Sequence, residues 1–108
     1  MKVINNKKQF AKILNDAKYP IILDFFATWC GPCVALTPIL EELSNKYNNV
    51  EFYKIDVDNE DCNDICTLYN INCMPTLIFI KNKISIDEYK IEGMNKEKIE
   101  ENIKKIIK

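Results

Sequence analysis

Two cysteines separated by two residues, Cys30-Gly31-Pro32-Cys33, are the residues best able to do chemistry in this chain. That spacing lets two sulfurs approach closely enough to make and break one S–S bond within a turn of helix. It also occurs in thiolate metal sites. Pro32 favours the first turn of a helix, where its missing N–H leaves no hydrogen bond unmade. Cys30 then falls at or just before a helix N-terminus. The free backbone N–H groups and the positive end of the helix dipole there favour a thiolate. Cys33 lies deeper and is expected to be less exposed. Cys30 is therefore read as the attacking nucleophile and Cys33 as the resolving thiol.

Composition narrows the alternatives. The 108 residues contain no histidine, two glycines and five cysteines. Without His there is no Ser-His-Asp or Cys-His pair and no His-ligated metal. Gly31 and Gly93 alone cannot form a glycine-rich phosphate loop. The 15 cations are all lysine against 16 acids, so bidentate arginine recognition of phosphate or guanine is absent and no nucleic-acid partner is expected. No apolar run reaches the length of a membrane span, so no membrane partner is expected either. Residues 1–6 carry no apolar signal run, and an odd cysteine count argues against a complete disulfide framework. A cytoplasmic location is the expectation.

The surrounding pattern alternates between strand and helix. Lys2–Ile4 reads as a weak first strand. Phe10, Ile13, Leu14 and Ala17 repeat as one helical face, with Asn6 and Gln9 as its start signal. Ile21–Ala27 reads as a strand buried on both faces, with Asp24 inside it. Leu36, Leu40, Leu43 and Tyr47 mark a helix begun by Pro32, with Pro38 inside it. Val50–Val57 is a strand and Cys62–Tyr69 a short helix. Thr76–Ile80 and Ser85–Ile91 are strands of a hairpin. Ile99, Ile103, Ile106 and Ile107 face one way on a last helix capped by Asn95. The order βαβαβαββα over residues 1–108 predicts a single α/β domain with a mixed central sheet flanked by helices.

With these residues in place, the chain resembles the thioredoxin family over nearly its whole length. Trp29-Cys30-Gly31-Pro32-Cys33 is similar to that family's reducing-type active site. Asp24 matches its buried aspartate and Lys54 the lysine facing it from the next strand. Pro38 matches its helix proline, Met74-Pro75-Thr76 its cis-proline segment, and Gly93 the glycine after the last strand. The resemblance implies a thioredoxin fold and general protein-disulfide reduction at a potential of about −270 mV. It implies no bound cofactor and no metal, only a reversible Cys30–Cys33 disulfide. NADPH enters only through a thioredoxin reductase, and protein disulfides are the substrates.

Roles follow from the same resemblance. Asp24 exchanges a proton with Cys33 and Lys54 modulates Asp24. Gly31 and Pro32 tune the dithiol. Trp29, Met74, Pro75, Thr76 and Gly93 bind substrate, with Trp29, Met74, Gly93 and Met94 as an apolar docking rim. Cys73 lies near that rim and is a candidate regulatory thiol, as are Cys62 and Cys66, four apart on one helical face. A monomer is expected, with a Cys73-linked dimer under oxidation. Three positions depart from the family pattern: Val34 replaces a common lysine, Thr28 a common acid or proline, and Lys83 a common turn glycine. If the turn keeps its geometry, Lys83 in a left-handed conformation costs about 1–2 kcal/mol. Two other readings compete. Cys30, Cys33, Cys62 and Cys66 supply four thiolates for a structural zinc module, or the domain serves as a binding subunit without redox turnover.

Overall fold

The computed structural model describes residues 1–108. Its elements run β1 (Lys2–Val3), α1 (Lys7–Asp16), β2 (Ile21–Phe26), α2 (Gly31–Lys46), β3 (Glu51–Asp56), α3 (Asn63–Leu68), β4 (Thr76–Lys81), β5 (Ile84–Ser85), β6 (Ile91–Glu92) and α4 (Lys96–Ile106). The sheet has the order β1-β3-β2-β4-β5, with β6 also on β4. β1, β3 and β2 are parallel, whereas β4 runs antiparallel to β2, β5 and β6. The expected mixed α/β sheet is present.

Alternation along the central strands sorts side chains onto two faces. Ile22, Leu77 and Phe79 point to the side where Leu36, Leu40 and Leu43 of α2 and Ile99, Ile103 and Ile106 of α4 pack. Ile21, Leu23, Phe25, Ile78 and Ile80 point to the other, against Phe10 of α1 and Ile65 of α3. Each such side chain contributes about 1.5–3 kcal/mol by leaving water. Asp24 follows Leu23 in this alternation, so it lies on the face that α2 and α4 cover.

Local signals fix the helix ends. The Asn6 side chain accepts from the Gln9 N–H at 2.8 Å, and the Gln9 side chain accepts from the Asn5 N–H at 2.7 Å. Asn95 caps α4 by accepting from the Lys98 N–H at 3.1 Å. Pro38 lies inside α2.

The structure departs from the expected elements in two places. Ser85–Ile91 is not one strand. β5 keeps the register Ile80↔Ser85, and the Ile86 N–H still bonds the Phe79 carbonyl at 2.8 Å. β6 resumes at Leu77↔Ile91, three residues out of step. A 3-10 turn at Asp87–Tyr89 takes up the excess and puts the Tyr89 ring edge-on to Phe79. The buried Asn102 amide of α4 donates to the Tyr89 carbonyl at 3.0 Å and pins this bulge. The second departure is at Cys62, which ends a 3-10 turn at Glu60–Cys62 and precedes α3 rather than lying within it.

The β4–β5 turn has the geometry expected at the missing glycine. Asn82 and Lys83 both have positive φ, 54° and 69°. That is a two-residue mirror-image turn between paired Lys81 and Ile84.

Candidate active site

β2 delivers the chain to the site and α2 carries it away. After Phe26, buried Ala27 leads to Cys30, which caps α2 in an extended conformation (φ −90°, ψ 112°). Pro32 lies in the first turn, as its fixed φ and missing N–H require. The Cys33 N–H donates to the Cys30 sulfur at 3.2 Å, and the Val34 N–H to the Cys30 carbonyl at 3.1 Å. No acidic side chain occupies this first turn, so the dipole acts on the sulfur uncompensated. Cys30 and Cys33 are joined as a disulfide with their Cα atoms 5.3 Å apart. Cys30 is the more accessible residue of the two, at 7% exposure against 2% for Cys33. Ala27, Phe26, Val57 and Met74 pack around the pair.

Asp24 is buried beneath α2, at 1% exposure, and neither carboxylate oxygen has a hydrogen-bond partner. Burial pushes its pKa up to about 6, and the Lys54 charge pulls it partly back. Lys54 pairs with Asp24 across the β2–β3 register. Its ammonium rests 4.3 Å from the centre of the Phe26 ring. Lys54, Phe26 and Cys33 line one cleft of about 220 Å³, with Val34 and Thr37 on its wall. Cys33 and the lysine therefore open onto the same space.

The rim gathers from four segments. Trp29 is 70% exposed, and its indole N–H donates to Asp58 Oδ2 at 2.8 Å. Val34 and Met94 are also exposed. The Met74–Pro75 peptide is cis. The Met74 carbonyl oxygen lies 3.7 Å from the Cys30 sulfur, and the Met74 N–H has no partner within the chain. Gly93, at φ 94°, adopts a conformation that disfavours any side chain, and its N–H holds the Pro75 carbonyl at 2.8 Å. A Cβ on Gly31 would point into open space, with no non-neighbouring atom within 4 Å.

Two residues expected to bind substrate are enclosed: Pro75 is buried, and so is Thr76. Its side chain is fully buried, and its backbone lies in the sheet between Phe25 and Glu92. Its hydroxyl donates to the Cys73 carbonyl at 2.7 Å, which fixes the turn before Met74. Thr76 thus positions the segment from below. Asp58 and Phe26 were not singled out from the sequence. A signal for Asp58 existed: Phe26 pairs with Asp56, so the residues after β3 lie beside those after β2. An indole N–H there needs an acceptor.

The remaining cysteines are free. Cys62 is fully buried and its thiol donates to the Ile4 carbonyl at 3.4 Å. Burial pushes the thiols of Cys62 and Cys66 upward, chiefly by disfavouring the thiolate. Cys62 belongs to the core beside α1, whereas Cys30 and Cys33 form a separate cluster, so the four thiols of the zinc reading do not converge. The Cys73 sulfur lies 3.4 Å from Glu92 Oε2.

Comparison with known proteins places this geometry. A family model described as Thioredoxin matches residues 1–105. Thioredoxin of Equus caballus is 44% identical over 108 residues, covering 99% of both chains. Among solved structures, Fasciola hepatica thioredoxin aligns with a TM-score of 0.89 at 34% identity, covering 98% of this chain and 99% of that one. Mitochondrial thioredoxin 3 of Saccharomyces cerevisiae, in its oxidised form, aligns with a TM-score of 0.87 at 33% identity, covering 97% and 94%. With a dithiol capping α2 and relatives matched from end to end, the chain belongs to the thioredoxin family, whose members are protein-disulfide oxidoreductases.

Proposed function

We propose that Cys30 is the attacking thiolate and Cys33 the resolving thiol in the reduction of protein disulfides. The observation that carries this reading is Cys30 itself. Its sulfur caps α2 and accepts the Cys33 N–H, and it is the more accessible residue of the pair. In the first step the Cys30 thiolate attacks one sulfur of a substrate disulfide. That S–S bond breaks, a mixed disulfide forms and the other substrate sulfur leaves as a thiolate. Cys33 then gives up its proton, with Asp24 as acceptor, and attacks the Cys30 sulfur. The second substrate thiolate leaves, and the protein keeps the Cys30–Cys33 bond. Two electrons pass from the dithiol to the substrate, and the two leaving thiolates take up protons.

The other roles follow from placement. Asp24 with a pKa near 6 can hold or release a proton close to neutral pH, as proton transfer to and from Cys33 requires. Lys54 keeps that value from rising further. Gly31 and Pro32 hold the two sulfurs at bonding distance without obstructing an incoming chain. Trp29, Met74 and Gly93 make the docking rim, where the free Met74 N–H can pair with an extended substrate segment, and the buried Pro75 supports it from below through its carbonyl bond to Gly93. Electrons return from NADPH through a thioredoxin reductase, as the family resemblance implies. No helix is long and apolar enough to cross a membrane. The proposed setting is the cytoplasm, as a monomer, with Cys73 able to link two copies under oxidation.

Insulin-disulfide reduction driven by NADPH and thioredoxin reductase tests this reading. Sustained NADPH consumption with insulin precipitation is expected. No turnover with Cys30 and Cys33 both free would overturn it.

A further inference from the structure

Glu92 stands at the docking rim without a cation. It ends β6, is exposed, and has no ammonium within ion-pairing distance. Its side chain makes one polar contact, with the Cys73 sulfur at 3.4 Å. Three ties hold this carboxylate against the segment that faces the dithiol. Glu92 pairs with Thr76, the next residue's N–H bonds the Pro75 carbonyl at 2.8 Å, and the Met74 carbonyl oxygen lies 3.7 Å from the Cys30 sulfur.

The wider charge pattern has the same sign. Residues 26–34, 73–75 and 91–94 around the dithiol contain no lysine or arginine, Asp58 and Glu92 lie at their edge, and the Lys90 ammonium is turned to the Tyr69 and Asn70 carbonyls at 3.4 Å. Asp58 is engaged by the Trp29 indole, whereas Glu92 has no such donor. Lys54, the nearby cation, lies over the Phe26 ring in the cleft beside Cys33.

We propose that Glu92 is a specificity-determining residue for disulfide exchange, favouring substrates with lysine or arginine beside the reacting cysteine and disfavouring those with an acid there. The inference rests on the dithiol reading above. A substrate segment lying along Met74 passes the Glu92 carboxylate, so a neighbouring side chain of opposite sign is attracted and one of like sign repelled. Exposed pairs of this kind shift a ratio by about two- to fivefold.

The test uses two synthetic peptide disulfides that differ only in Lys or Glu next to the reacting cysteine. A lysine there also makes the substrate sulfur a better leaving group. The deciding quantity is therefore the change in the Lys-to-Glu ratio of kcat/KM when Glu92→Gln is made. That ratio should fall about two- to fivefold, chiefly through KM, and the fall should shrink at about 1 M salt, where charges are screened within roughly 3 Å. Asp16→Asn, at the end of α1, should leave the ratio at its wild-type value. An unchanged ratio in Glu92→Gln, or an equal change in Asp16→Asn, overturns the inference while leaving the dithiol reading intact. Failure of the reduced wild type to act on either peptide overturns the dithiol reading and this inference with it.

Discussion

Asp24 and Lys54 face one another in the parallel register of β2 and β3, yet neither Asp24 oxygen receives a hydrogen bond. The ammonium is drawn instead over the Phe26 ring. Asp24 is thus desolvated with only partial compensation, and its pKa rises from an ordinary 3.8 to about 6. The folded protein holds this proton more tightly than the unfolded chain. The stability that the protonated acid supplies is full below about pH 4 and is lost as pH rises through about 6. Asp24→Asn, an uncharged isostere, should match the oxidised wild type at about pH 4. It should be more stable by about 3 kcal/mol at about pH 8. Urea unfolding of both oxidised proteins across that range measures it, and equal midpoints at the alkaline end would contradict it.

Lys83 adopts φ 69° in the β4–β5 turn. A side chain there costs about 1–2 kcal/mol relative to glycine, and a glycine returns part of that through its freer unfolded chain. Lys83→Gly should raise stability by about 1 kcal/mol with no change in disulfide reduction. A lower urea midpoint would show that the 3.4 Å contact of Lys83 Nζ with Asn15 matters more than the backbone strain.

Trp29 is largely exposed, so its removal should cost less than about 1 kcal/mol of stability. Its loss should nevertheless raise KM for a protein disulfide, because the indole is a broad apolar part of the rim and is held in place by Asp58. Trp29→Ala should separate the two effects: near-native unfolding with impaired insulin reduction. Unimpaired reduction would remove Trp29 from the docking surface.

The free thiols should differ in reactivity. Cys62 is sealed in the core, Cys66 is half-buried with its pKa raised, and Cys73 is half-buried near the rim. With Cys30 and Cys33 oxidised, an aromatic disulfide reagent should modify Cys73 first and Cys62 last, the latter only as fast as the core opens. Early labelling of Cys62, located by peptide mass, would contradict the packing around Ile4.

Much of this was legible in the sequence because single residues carried it. Pro32 announced the start of α2 and hence the placement of Cys30, Asn6 and Asn95 announced caps, and Asp24 stood out in an apolar run. Lys83 marked a strained turn because the residue type conflicts with the geometry a short hairpin needs. Less visible were features set by pairing between distant segments. Ile86, Tyr89 and Ile91 are spaced three and then two residues apart, which breaks the alternation of a strand. That break signals the bulge, but its depth depends on Asn102 of α4. Thr76 reads as substrate-binding from its neighbours Met74 and Pro75; only the sheet pairing on both sides shows that it is enclosed. Asp58 and Glu92 are brought to Trp29 and Cys73 by contacts at separations no local pattern encodes.

The division of labour between Cys30 and Cys33 is tested most directly by trapping. Reduced Cys33→Ser and Cys30→Ser variants are mixed with insulin and analysed by intact mass under denaturing, non-reducing conditions. Cys33→Ser should accumulate a covalent adduct through Cys30, and Cys30→Ser should accumulate none. An adduct through Cys33 in the Cys30→Ser variant, with none in Cys33→Ser, would contradict the account.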